Sequence, residues 1–164
     1  MILIIGSGCI GSFLAQYLKA NQIPYVIKIK ENSFSRSRLV NSDLKHIVKY
    51  DEIANKIKLI IVAVKSYDLK QVSFELNKNF KNIKIIYSYN GLFFEKNDFD
   101  QLSNRLIVTN GYKLKDNEVI ELGLKKPWIY HSSNSNLFDR LKLNEKNQFK
   151  VENNLVIPIV KKCL

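Results

Sequence analysis

The chain has 164 residues and a mass of 19.1 kDa, the size of one domain. Hydrophobic residues make up 46% of it, enough for a packed core and too many for a disordered chain, and no apolar run approaches the roughly 20 residues that span a bilayer. The formal net charge of +11 raises nucleic acid as a partner, but Lys19, Lys45, Lys58, Lys81, Lys96 and Lys115 lie in different segments with no arginine-and-aromatic cluster, so a solvated basic surface is expected instead.

In chain order, Ile2–Gly6 is a continuous apolar run ending in glycine, which suits a strand buried on both faces. It has no basic leader and is too short for a signal peptide, so a cytoplasmic protein with no membrane segment is expected. Ile10, Phe13, Leu14, Tyr17 and Leu18 recur at helical spacing and predict a helix over Ile10–Asn21. A strand over Tyr25–Ile29 follows, then a serine-rich surface loop at Asn32–Arg38, a short strand near Ile47–Lys49 and a helical turn around Asp51–Lys56. Leu59–Val64 reads as a buried strand, Tyr67–Asn77 as a helix burying Leu69, Val72 and Leu76, and Ile83–Tyr87 as a further strand ending at the turn Asn90-Gly91. Phe94–Leu102 reads as a helix and Arg105–Asn110 as a strand.

Beyond Gly111 the pattern changes. Val119–Leu122 and Trp128–His131 look like the two arms of a small antiparallel ribbon, followed by a helix over Asn136–Leu143, a short strand at Phe149–Val151 and an apolar stretch from Leu155 to Leu164. Strands alternating with helices predict an α/β fold, a doubly wound and mainly parallel sheet with the ribbon as an appendage.

Gly6-Ser7-Gly8-Cys9-Ile10-Gly11 is a complete G-x-G-x-x-G between a predicted strand and a predicted helix, the setting in which this motif binds a dinucleotide. The first glycine allows the tight turn, the second lets the backbone approach a pyrophosphate, and the third lets helix and strand pack closely. The helix N-terminus offers unpaired N–H groups to the phosphates. A Rossmann-like domain is the fold this implies. Its specificity is read at the end of the second strand, where NAD enzymes usually carry an acid for the ribose 2′-hydroxyl. Lys30 stands there instead and favours the 2′-phosphate of NADP(H), with Arg36 and Arg38 in reach of the same pocket; Glu31, one residue later, would favour NAD if the strand ran further.

The two cysteines, Cys9 and Cys163, belong to no CxxC or Cys/His cluster, and neither His46 nor His131 has a partner arrangement for a triad or a metal, so no metal is expected. Cys9 occupies a position in the glycine turn that needs a small residue.

Three further segments carry a family resemblance. Val62-Ala63-Val64-Lys65-Ser66-Tyr67-Asp68 resembles the V-x-V-K-x-Y segment of ketopantoate reductases, and Tyr89-Asn90-Gly91-Leu92 resembles their Q-N-G-L turn. The stretch from Val151 to Leu164 looks like a degraded form of the segment leading to W-x-K-L, with Val160 for the tryptophan and Cys163 for the leucine. The resemblance implies reduction of the 2-keto acid 2-dehydropantoate by NADPH, giving pantoate for coenzyme A synthesis. It further implies that Lys65 faces the cofactor and substrate cleft, that Asn90 lies near the nicotinamide, and that Lys162 is the catalytic lysine, with Lys161 an equal candidate for that match.

Members of that family continue into a helical second domain that closes the cleft. The expectation here is a cofactor domain over residues 1–154 and the start of a truncated helical segment over residues 155–164, whose apolar side chains Ile157, Ile159, Val160 and Leu164 would suit a homo-oligomer or a second chain. Two other functions stay open: an NADP(H)-binding module that turns nothing over, and a basic interaction protein built on the same scaffold.

Overall fold

The computed structural model describes residues 1–29, 45–47, 49–51 and 53–88 with their side chains, and the backbone of the strands at 106–108, 112–115, 118–121, 129–131 and 149–151. The first part forms a five-stranded sheet. Strand β1 (Ile2–Ile5) is followed by helix α1 (Cys9–Ala20), β2 (Tyr25–Lys28), β3 (His46–Ile47), β4 (Leu59–Val62), helix α2 (Leu69–Asn79) and β5 (Lys84–Tyr87). Their order across the sheet is β3-β2-β1-β4-β5, and every pairing is parallel.

The continuous apolar runs of β1 and β4 follow from the sheet being covered on both sides. Alternation along the strands divides the core in two. Ile2, Ile4, Tyr25, Ile27, Leu59 and Ile61 face Leu14, Ala15 and Leu18 of α1. Leu3, Ile5, Val26, Ile60 and Val62 face the other way, with Leu69, Val72 and Leu76 of α2. The two helices thus lie on opposite faces, and the sheet is doubly wound as expected. Lys19 in the last turn of α1 and Lys78 in that of α2 complement the helix dipoles.

The remaining strands are β6 (Leu106–Val108), β7 (Tyr112–Lys115), β8 (Glu118–Glu121), β9 (Ile129–His131) and β10 (Phe149–Val151). Here the pairing differs from the sequence-based expectation. The segment around Val119 pairs with Tyr112–Lys115, in register Lys115 to Glu118 and Tyr112 to Glu121, and not with Ile129–His131. Ile129–His131 instead runs antiparallel to β6 and parallel to β10. Only Asp116 and Asn117 separate β7 from β8, and a two-residue connection closes a hairpin locally, ahead of any longer-range partner. This hairpin lies beside α1. The helices expected over Phe94–Leu102 and Asn136–Leu143, and the apolar stretch from Leu155, lie outside the described residues. Among the described residues no helix is long and apolar enough to cross a membrane.

Candidate functional site

The sheet order reverses between β1 and β4, so the loops leaving the carboxyl ends of these two strands diverge and leave a crevice between them. Gly6 leaves β1 with φ +111°, a conformation that L side chains rarely adopt. A Cβ there would also run into the carbonyl oxygen of Ala63, and Val64 Cγ1 would be 3.2 Å away. The loop after β1 is therefore pressed against the end of β4, which the Ala63 amide reinforces by donating to the Ile5 carbonyl at 2.8 Å. Gly11 is buried in the first turn of α1, and a Cβ on it would strike the Gly6 carbonyl oxygen and meet Ile4 Cγ2 at 3.5 Å. Both glycines are required by the packing of the chain on itself.

Gly8 is different. Its backbone, at φ −75° and ψ −174°, suits any residue, it is exposed, and a Cβ would meet nothing within 4 Å. It is the N-cap of α1, yet no side chain caps the helix and the first turn holds no acid. Ser12 N–H, bonded to the Gly8 carbonyl at 2.9 Å, makes the first intrahelical bond. The N–H groups of Cys9, Ile10 and Gly11 precede it and have no intrahelical acceptor. An open approach in front of free donors and a positive helix end is a cradle for phosphate oxygens. Ser7, Cys9 and Ile10 are half-buried around it, Cys9 as a free thiol. Ser12, completely buried, donates through Oγ to the Ser7 carbonyl at 3.5 Å and ties the loop to the helix. Sequence reasoning passed over Ser12, and its place directly after the third glycine was the available signal.

On the other side of the crevice β4 ends at Val62, two residues earlier than expected, and the Ala63 carbonyl lies against Gly6. Lys65 consequently does not end a strand. It is exposed at the head of a single 3₁₀ turn, Ser66–Asp68, and its carbonyl accepts from Asp68 N–H at 3.0 Å. The structure thus brings Gly6–Gly11 and Lys65 to the same edge of the sheet. The buried Ser88 joins them, its N–H donating to the Val62 carbonyl at 2.7 Å. Lys30, Glu31, Arg36, Arg38, Asn90, Lys161 and Lys162 lie outside the described residues; Ile29, the residue before Lys30, is buried, and its N–H donates to the Ile47 carbonyl at 2.9 Å. Among the described residues no group of three His, Cys, Asp or Glu could hold a metal ion.

A family model described as ketopantoate reductase PanE/ApbA matches residues 2–109, about two thirds of the chain and the whole of this edge. The chain belongs to the ketopantoate reductase family. Among curated proteins none matches it. Solved structures share its fold at low identity. The 2-dehydropantoate 2-reductase of Methylococcus capsulatus is 16% identical with a TM-score of 0.69 over 99% of this chain and 60% of its own. The dimeric ketopantoate reductase of Staphylococcus aureus is 18% identical with a TM-score of 0.60 over 94% of this chain and 60% of its own. D-Mandelate dehydrogenase, solved with NADH and anilino(oxo)acetate, is 15% identical with a TM-score of 0.68 over 99% of this chain and 60% of its own. The chain therefore spans 60% of the length of these structures.

Proposed function

We propose that the chain binds NADP(H) across Gly6–Gly11 and serves the NADPH-dependent reduction of 2-dehydropantoate to pantoate. The observation that carries the cofactor site is Gly8: neither its φ nor any neighbour among the described residues requires a glycine, so its lack of a side chain is explained by a ligand that comes close. Ketopantoate reductase membership supports the choice of substrate.

In this reading the N–H groups of Cys9, Ile10 and Gly11 orient the pyrophosphate, and Lys30 binds the 2′-phosphate by a charge-assisted hydrogen bond. Lys65 steadies the phosphates or the carboxylate of the keto acid, and Asn90 lies beside the nicotinamide. When bound, NADPH supplies the hydride. Lys162 hydrogen-bonds the keto oxygen and gives its proton to the developing alkoxide. Residues 1–154 form the cofactor unit, and residues 155–164 open a helical segment.

A second reading rests on the glycine loop alone, which can hold a dinucleotide whether or not a reaction follows: residues 1–164 hold NADP(H) without turnover. One experiment separates the two. The purified chain is titrated with NADPH by intrinsic fluorescence, and NADPH oxidation is followed on adding ketopantoate. Saturable binding with keto-acid-dependent oxidation supports the reductase. Binding without oxidation assigns the holding role, and no binding of either nicotinamide dinucleotide overturns the cofactor site itself.

A further inference from the structure

The lysines are scattered in the sequence, but α2 and the turn before it gather several of them around two aromatic rings. Tyr67 is 81% exposed and Phe74 is 74% exposed. They stand seven residues apart, Tyr67 in the 3₁₀ turn that leads into α2 and Phe74 in α2 itself. Lys70 and Gln71 fill the space between the rings, Asn77 and Lys78 follow Phe74, and all four are exposed. The two acids of this segment are less exposed than its lysines. Asp68 is half-buried, and Glu75 is engaged by Tyr50 Oη at 3.5 Å and by Gln71 Nε2 at 3.1 Å. The buried face of the same helix, Leu69, Val72 and Leu76, is already spent on the sheet.

We propose that this outer face of α2 docks an acidic amphipathic helix of a partner protein, with apolar side chains over Tyr67 and Phe74 and carboxylates against Lys70 and Lys78. Anchors one heptad apart are the spacing at which one helix meets another. Charge selects the partner. A second copy meeting the same face about a twofold axis would set lysine against lysine, between chains that each carry +11. Single-stranded nucleic acid is read in cationic grooves lined by stacking rings, whereas this is the convex side of a helix, and its cations are lysines without an arginine.

The test uses the full chain and a labelled synthetic helical peptide with leucines at heptad spacing and flanking glutamates, read by fluorescence anisotropy at physiological salt. A scrambled peptide of the same composition is the control. The patterned peptide should bind at least about tenfold more tightly than the scrambled one, and Tyr67→Ser and Phe74→Ser should each remove most of that difference. Both residues are exposed, so unchanged thermal midpoints will show that the variants fold. Equal binding of the two peptides, or patterned binding indifferent to both substitutions, overturns the proposal. So does an oligo-dT strand that binds more tightly than the peptide and loses affinity in the same variants, which assigns the face to nucleic acid. Concentration-dependent dimerisation abolished by Phe74→Ser overturns it in favour of a second copy.

Discussion

Gly6, Gly8 and Gly11 all lack a side chain, for reasons that the structure separates and that mutation can separate again. Aspartate is a good N-cap and carries the charge that a helix N-terminus favours, so Gly8→Asp should leave unfolding free energy unchanged or raise it by a few tenths of a kcal/mol. The same carboxylate would face the incoming pyrophosphate, and like charges at about 4 Å cost roughly 1–4 kcal/mol, so NADPH affinity should fall by at least about tenfold. Gly11→Ala should do the reverse in kind: its Cβ meets the Gly6 carbonyl, which has to move, and about 1–3 kcal/mol of stability should be lost whether or not cofactor is present. Urea unfolding and NADPH titration on both variants check the pair. Retained NADPH affinity in Gly8→Asp would remove the pyrophosphate from that loop. The choice of dinucleotide is tested separately. If Lys30 binds the 2′-phosphate as proposed, Lys30→Asp replaces a charge-assisted bond with a repulsion and should weaken NADPH by about 10- to 100-fold while NADH changes little. Equal losses for both would take Lys30 out of the 2′-phosphate pocket.

At the scale of elements, most of the sheet was legible because each strand is a short apolar run bounded by polar residues or glycine. The periodicity of Leu14, Leu18, Leu69, Val72 and Leu76 likewise placed both helices. What the sequence hid was local geometry and pairing. Val64 continues the apolar run of β4, and nothing in the residue types says that the strand stops at Val62, so the sequence puts Lys65 on a strand end and not on the turn that exposes it. The hairpin of β7 and β8 is written in Tyr112-Lys113-Leu114-Lys115, a clean alternation, but its two lysines and the weak turn pair Asp116-Asn117 give it no strong strand signal. Contacts between elements were equally out of reach. Tyr50 packs edge-on against Phe80 with ring centroids 5.3 Å apart, lies 5.1 Å from Lys28 Nζ, and donates to Glu75 across to α2. Burial pushes its phenol well above the ordinary tyrosine range, and the charge of Glu75 and the hydrogen bond to it push further the same way. A raised pKa means that the folded chain keeps a proton which the unfolded chain gives up first. The contribution is fully present below about pH 10 and is lost as pH rises above it toward the folded-state value. Tyr50→Phe keeps the ring contacts and should flatten this alkaline loss. Urea midpoints measured from about pH 8 to about pH 11 will show it, and identical alkaline limbs in the two proteins would mean that Tyr50 does not set them.

For the molecule as a whole, the site and the core are separate constructions. The core consists of the two layers on either face of the sheet, whereas Gly6–Gly11, Lys65 and Ser88 sit at one edge, where the strands give out. Gly8 and Lys65 are exposed and contribute little to packing, whereas Gly6 and Gly11 serve the packing itself, and the fold should stand without a ligand. Ligand binding should then add stability by mass action alone. At an NADPH concentration about 100 times its dissociation constant the gain is about 2.7 kcal/mol, which for a chain of this size raises the unfolding midpoint by roughly 5–10 °C. Differential scanning fluorimetry with increasing NADPH should give a midpoint that climbs with the logarithm of concentration. NADH should need a higher concentration for the same shift, and Gly8→Asp should start at or slightly above the parent's ligand-free midpoint and need at least about ten times more NADPH for the same rise. A midpoint that moves equally in the parent and in Gly8→Asp would mean that the nucleotide stabilises the chain through its general basic charge, not at this edge, and the glycine loop would then be only a tight connection between β1 and α1.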